Sequence, residues 1–77
     1  MATMYLVQGY RQKGRQLVGD QPQAARSADA AMALAERMGT SRAGVIAYSQ
    51  EVDVETDTYD EPRVLVRLGT LPEGLLE

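Results

Sequence analysis

The sequence predicts a small α+β domain: an antiparallel sheet of about four strands with one helix packed on one face, in the order β-β-α-β-β. Two observations carry this. Residues 27–39 have both a start and a stop signal for a helix, and the segments on either side alternate with the period of half-buried strands. A length of 77 residues fits one domain spanning 1–77. A chain this short buries about 60 to 65% of the surface its unfolded form exposes, so its stability margin is thin.

From Met4 to Arg11 the stretch MYLVQGYR puts Met4, Leu6, Gln8 and Tyr10 on one face and Tyr5, Val7, Gly9 and Arg11 on the other. Gly14 is free to take positive φ in a tight turn, and RQLVG at 15–19 returns as a short second strand. Pro22 has no N–H to donate, which ends that strand near Asp20. In SADAAMALAERMG, Ser27 is the expected N-cap, Asp29 sits in the first turn, Arg37 in the last, and Gly39 at the position of a left-handed C-terminal residue. Ala24, Ala28, Ala31, Leu34, Ala35 and Met38 form one stripe whose small side chains suit a helix lying close on a sheet. AGVIAYSQEV at 43–52 is the third strand. RVLVRL at 63–68 is the fourth, with Val64, Val66 and Leu68 inward and Leu65 the odd exposed residue. The tail from 70 to 77 is expected to be loosely ordered, and Leu76-Glu77 has the form of a cloning scar. No internal repeat or low-complexity segment is apparent.

A single helix covers one sheet face, and Tyr5, Val7, Ala47 and Leu65 are the expected apolar patch on the other, a partner surface. The apolar 44% of the chain contains four Tyr and neither Phe nor Trp, so the core gains little per residue. Homodimerisation is one way to add to it.

Composition removes several functions. Without His or Cys there is no imidazole catalysis, thiolate nucleophile, disulfide or ordinary zinc site, and a reducing, cytoplasmic location is expected. The N-terminus lacks the pattern of a signal peptide, and no apolar run approaches the length of a membrane span. No cofactor and no metal are expected, and the chain is not expected to be an enzyme. Asp53, Glu55 and Asp57 do match the first ligand spacings of a calcium loop. However, Thr58 stands where Gly is needed and Val64 where the bidentate Glu belongs. Gly9, Gly14 and Gly19 are evenly spaced but do not open a helix, so they form no phosphate loop.

Net charge is −3 and unevenly distributed: +3 over residues 1–26, zero over 27–50 and −6 over 51–77. The simplest expectation is that the two ends lie side by side in the sheet and neutralise each other; the sharper one is that they attract different partners or a second copy. Tyr10, Arg11, Lys13 and Arg15 are a candidate nucleic-acid contact on the first hairpin. Glu51, Asp53, Glu55 and Asp57 alternate as an acidic face suited to docking a basic surface.

YLVQGYR, the Ala-rich helix, AGVIAYSQEVD and PRVLVRLGTLP together resemble a small family of bacterial proteins, some prophage-associated, with no assigned activity to carry over. Tyr5 to Gln8 and Val64 to Gly69 are also similar in kind to strands of the SPOR peptidoglycan-binding domain, which implies glycan binding outside the cytoplasm. That domain has two helices, and this chain signals one. The leading expectation is therefore a non-catalytic cytosolic protein-interaction module, with nucleic-acid binding and SPOR-like glycan binding as alternatives.

Overall fold

The computed structural model describes residues 2–72. The strands are β1 (Ala2–Lys13), β2 (Gln16–Gly19), β3 (Gln23–Ala25), β4 (Gly44–Asp53), β5 (Thr58–Tyr59) and β6 (Arg63–Gly69), and helix α1 (Ala28–Gly39) lies between β3 and β4. The class is α+β and mostly sheet. The order is not the expected β-β-α-β-β, because each outer strand is broken in two. All pairings are antiparallel: β1 and β4 are central, β2 and β3 share the outer edge of β1, and β5 and β6 share that of β4.

Both breaks have the same cause. Asp20-Gln21-Pro22 and Asp60-Glu61-Pro62 interrupt the outer strands, since proline cannot donate to a ladder. At each break the chain is held by the same pair of bonds. The Asp20 N–H donates to the Gly9 carbonyl at 2.8 Å and the Asp60 N–H to that of Glu51 at 3.1 Å. The Gln8 side chain donates to the Asp20 carbonyl at 2.9 Å and the Gln50 side chain to that of Asp60 at 3.1 Å.

The pairing register is thus internally two-fold, although no repeat is evident in the sequence. Adding 42 to Leu6, Gln8 and Gly9 gives Tyr48, Gln50 and Glu51, and adding 40 to Asp20, Pro22 and Ala24 gives Asp60, Pro62 and Val64. The relation centres on the Leu6–Tyr48 pair and sends one hairpin arm out of each end of a body 43 Å long. The basic and acidic clusters of the two arms therefore do not lie side by side, although the segments that carry them meet at Ala2–Val52 and Thr3–Glu51. Arg11, Lys13 and Arg15 project beyond the Tyr10–Gly44 pair, while Asp53, Glu55 and Asp57 project beyond the opposite Ala2–Val52 pair.

Helix α1 crosses β1 to connect the parallel strands β3 and β4. Ser27 caps it, its Oγ accepting from the Ala30 N–H at 3.0 Å. Its C-terminus is different from the expectation: Gly39 is helical, and Thr40 closes the last turn by donating its hydroxyl to the Arg37 carbonyl at 2.8 Å. Positive φ occurs instead at Gly14, as expected, and at Gly69 and Asp57.

The core lies between α1 and the odd-numbered face of the central strands: Val7, Val45 and Ala47 pack against Ala31, Ala35 and Met38, with Tyr5, Leu65, Val66 and Leu68 around them. This inverts the expected faces. Tyr5, Val7, Ala47 and Leu65 are the helix-covered surface, Val7 and Ala47 being 0% exposed, because the alanine stripe docks there. Leu65 joins them through a register shift opposite Ala47 and Tyr48, a bulge that lets Leu65 and Val66 both pack toward the helix.

Gly44 and Gly69 are fixed by backbone contact. A Cβ on Gly44 would collide with the Thr70 carbonyl, and one on Gly69 with that of Ala43. At Gly9 a Cβ would meet the flexible end of Met38 at 2.9 Å. Gly44→Ala is therefore expected to cost about 1–3 kcal/mol, and Gly9→Ala clearly less, in paired denaturant titrations. Equal costs would show that the Gly44 contact does not constrain the chain.

Candidate functional site

The sheet face opposite the helix is built from the even-numbered residues of β1 and β4 and their partners. Along β1 it presents Met4, Leu6, Gln8 and Tyr10, and along β4 Ile46, Tyr48, Gln50 and Val52. Leu17 lies on its basic arm, Tyr59 on its acidic arm beside Val52, and Val64 beside Tyr48. Among the described strand residues this face carries no carboxylate, and Arg67, opposite Ile46, is its one charged side chain. Only two carboxylates, Glu51 and Asp53, lie on the described strands, both on the helix side, and three of the four tyrosines lie on this face. Apolar and aromatic content with depletion of acids is what distinguishes the centre of a protein interface from ordinary surface.

The face is graded along its length. Ile46 is only 1% exposed with no helix above it, and Tyr10 is 7% exposed. Burial pushes the Tyr10 phenol up from its ordinary pKa, and neighbouring Tyr48 adds to the rise. Thr70 and Leu71 lie over Gly44 at this end. Toward the acidic arm Met4 is 44% exposed and Tyr59 60% exposed, while Val52, paired with Tyr59, is buried.

The opposite face carries the arm charges. Arg11 and Lys13 lie on the helix side with their partners Val18 and Gln16, whereas Tyr10 points away from them, so Tyr10, Arg11, Lys13 and Arg15 do not form one surface with a stacking platform. Arg11 is also engaged: its Nε lies 3.1 Å from Asp20, and the Arg42 Nε lies 2.7 Å from the same carboxylate. Tyr10 and the basic residues were linked by nearness in sequence, and the strand's alternation separates them.

The acidic set also divides. Glu51 and Asp53 lie on the helix side of β4, but Glu55 and Asp57 belong to the reverse turn and not to a strand face. The Asp53 carboxylate accepts from the Glu55 N–H at 3.1 Å and Asp57 takes φ 54°, which together turn the chain. No group of three or more acidic side chains among the described residues is arranged to hold a metal ion. A groove of about 430 Å3 beside the start of the helix is lined by Thr3, Tyr5, Ala28, Ser49, Glu51, Asp60, Glu61, Arg63 and Leu65. Its three carboxylates, Glu51, Asp60 and Glu61, are solvent-exposed.

No family model, curated protein or solved structure matches the chain. The described residues contain one helix, none long and apolar enough to cross a membrane.

Asp20 anchors the basic end. Burial pushes its carboxyl upward, but the hydrogen bonds and charges of Arg42 and Arg11 outweigh this and hold it below the ordinary carboxylate range. The folded pKa is thus depressed, and the stabilisation is fully present above the unfolded pKa, about 3.9, and is lost as pH falls through the lower folded value. Asp20→Asn should be less stable than the parent at neutral pH, with the gap closing below about pH 4. A gap that persists unchanged in acid would assign the loss to something other than this carboxylate.

Proposed function

We propose that this chain is a non-catalytic, cytosolic protein-interaction module that binds through the sheet face opposite its helix. The observation that carries the reading is the exposed apolar end of that face, where Met4 is 44% and Tyr59 60% exposed and Leu6 and Tyr48 are half-buried. The absence of Cys supports a reducing compartment. The acidic arm carries Val52 and Tyr59 and the basic arm Leu17 and Gln12 on this side, and the turn residues Arg15, Glu55 and Asp57 offer a partner unlike charges at the two ends of the rim.

The test compares the parent chain with Met4→Glu/Tyr59→Glu, which places charge on exposed positions and leaves the core untouched. Lys13→Ala/Arg15→Ala serves as the arm control. Used as bait in host extract, the parent should retain a partner that the double Glu variant loses by more than about tenfold, while the arm variant keeps most of it. Retention by the face variant with loss by the arm variant would transfer the function to the basic hairpin.

A further inference from the structure

Apart from the open face, we infer that the groove beside the start of α1 is a second binding site, which takes an arginine-bearing segment of a partner protein. The groove lies on the helix side of the sheet, toward the acidic arm, and holds about 430 Å3. Thr3, Tyr5, Ser49 and Leu65 line it, and Glu51, Asp60 and Glu61 set three carboxylates around it against one cation, Arg63.

The internal two-fold identifies what this place corresponds to. Turned about the Leu6–Tyr48 pair, Val7, Gly9, Val45 and Ala47 fall on Ser49, Glu51, Thr3 and Tyr5, and Asp20 falls on Asp60. The groove is therefore the counterpart of the seat that the C-terminal end of α1 and the residues after it occupy. In that seat Val7, Val45 and Ala47 are fully buried. The Arg42 side chain lies along Gly9, 3.2 Å from where a Cβ would stand, and brings its Nε to the Asp20 carboxylate at 2.7 Å. Arg11 adds a second guanidinium to the same carboxylate at 3.1 Å.

At the acidic end neither cation has a counterpart. The described chain has one helix, so no described residue stands in the place of Arg42, and the two-fold turns Arg11 into Asp53. Among the described residues no ion pair engages Glu51, Asp60 or Glu61. The lining also differs in kind. Ser49, Thr3 and Glu51 replace two valines and a glycine, which makes the groove unsuited to an apolar helix. It keeps the corner carboxylate, Asp60, and Glu51 sets a second one beside it, since the Asp60 N–H donates to the Glu51 carbonyl. Neighbouring carboxylates next to Tyr5 and Leu65 match an arginine side chain, whose planar fork suits carboxylate geometry and whose methylene stem packs on apolar surface. The sign of the charge disfavours nucleic acid and anionic lipid.

The probe is a fluorescently labelled peptide with two arginines among alanines, mixed at low salt with the full-length chain, beside the same peptide with citrulline in place of arginine. The arginine peptide should bind saturably and shift the methyl signals of Ala28 and Leu65, while that of Met4 on the open face stays still. The citrulline peptide should not bind. Glu51→Gln/Asp60→Asn should weaken binding several-fold or more with an unchanged circular dichroism spectrum. Glu55→Gln/Asp57→Asn removes the same charge from the turn of the acidic arm and should change binding little. Arg63→Gln takes away the groove's one cation and should tighten binding, a gain that misfolding cannot produce. Equal losses in the two acid variants would reduce the effect to net charge and overturn the site, as would a parent chain that binds neither peptide. A lysine peptide that binds as tightly would overturn the assignment to arginine. Either failure leaves the reading of the open face standing, because the two sites lie on opposite sides of the sheet.

Discussion

The structure depends on the antiparallel pairing of β1 with β4, which runs from Ala2–Val52 to Tyr10–Gly44 and supplies the floor on which the helix sits. Because the core lacks Phe and Trp, the helix must come close to that floor. Ala31 and Ala35, both fully buried, let it do so over Val7, Val45 and Ala47. Close approach substitutes for bulk: dispersion contacts between small, tightly set side chains offset part of what large rings contribute elsewhere. Every other feature is placed relative to this central ribbon.

The outer strands follow from the ribbon in a repeated way. Each leaves its ladder at an Asp-x-Pro corner, and each corner is satisfied by a glutamine from the central strand that replaces the missing ladder bond. The break lets an arm run past the end of the sheet while the strand that follows pairs again further back. Two hairpins that share this construction but carry opposite charge turn a small domain into an elongated body with unlike ends. The same alternation sends Arg11, Lys13, Glu51 and Asp53 to the helix side and leaves the other side a mix of apolar residues, glutamines and Arg67.

Local signals in the sequence were legible wherever one residue decides a backbone conformation. Ser27 as N-cap, Gly14 in the first turn and the stop before Pro22 all follow from side-chain chemistry over a few residues. The strand alternation was legible too, but which of its two faces meets the helix was not, since both carry apolar residues and only the docking of the alanine stripe decides. That one ambiguity moved Tyr5, Val7, Ala47 and Leu65 from expected surface to core and exposed Met4 and Tyr59 instead. The bulge at Leu65 was hidden for a related reason, because alternation assumes one residue per partner. The end-to-end separation of charge needed the β1–β4 register, which a chain read one segment at a time does not contain.

The central claim, that the open sheet face is an interface, is tested most directly by hydroxyl-radical footprinting of the chain in intact host cells. Met4 and Tyr59, 44% and 60% exposed on the isolated chain, are the reporters. Both should be oxidised several-fold more slowly in the cell than in highly diluted purified protein, while Lys13 and Arg15 on the basic arm change much less. Equal oxidation of Met4 and Tyr59 in the two settings would contradict it.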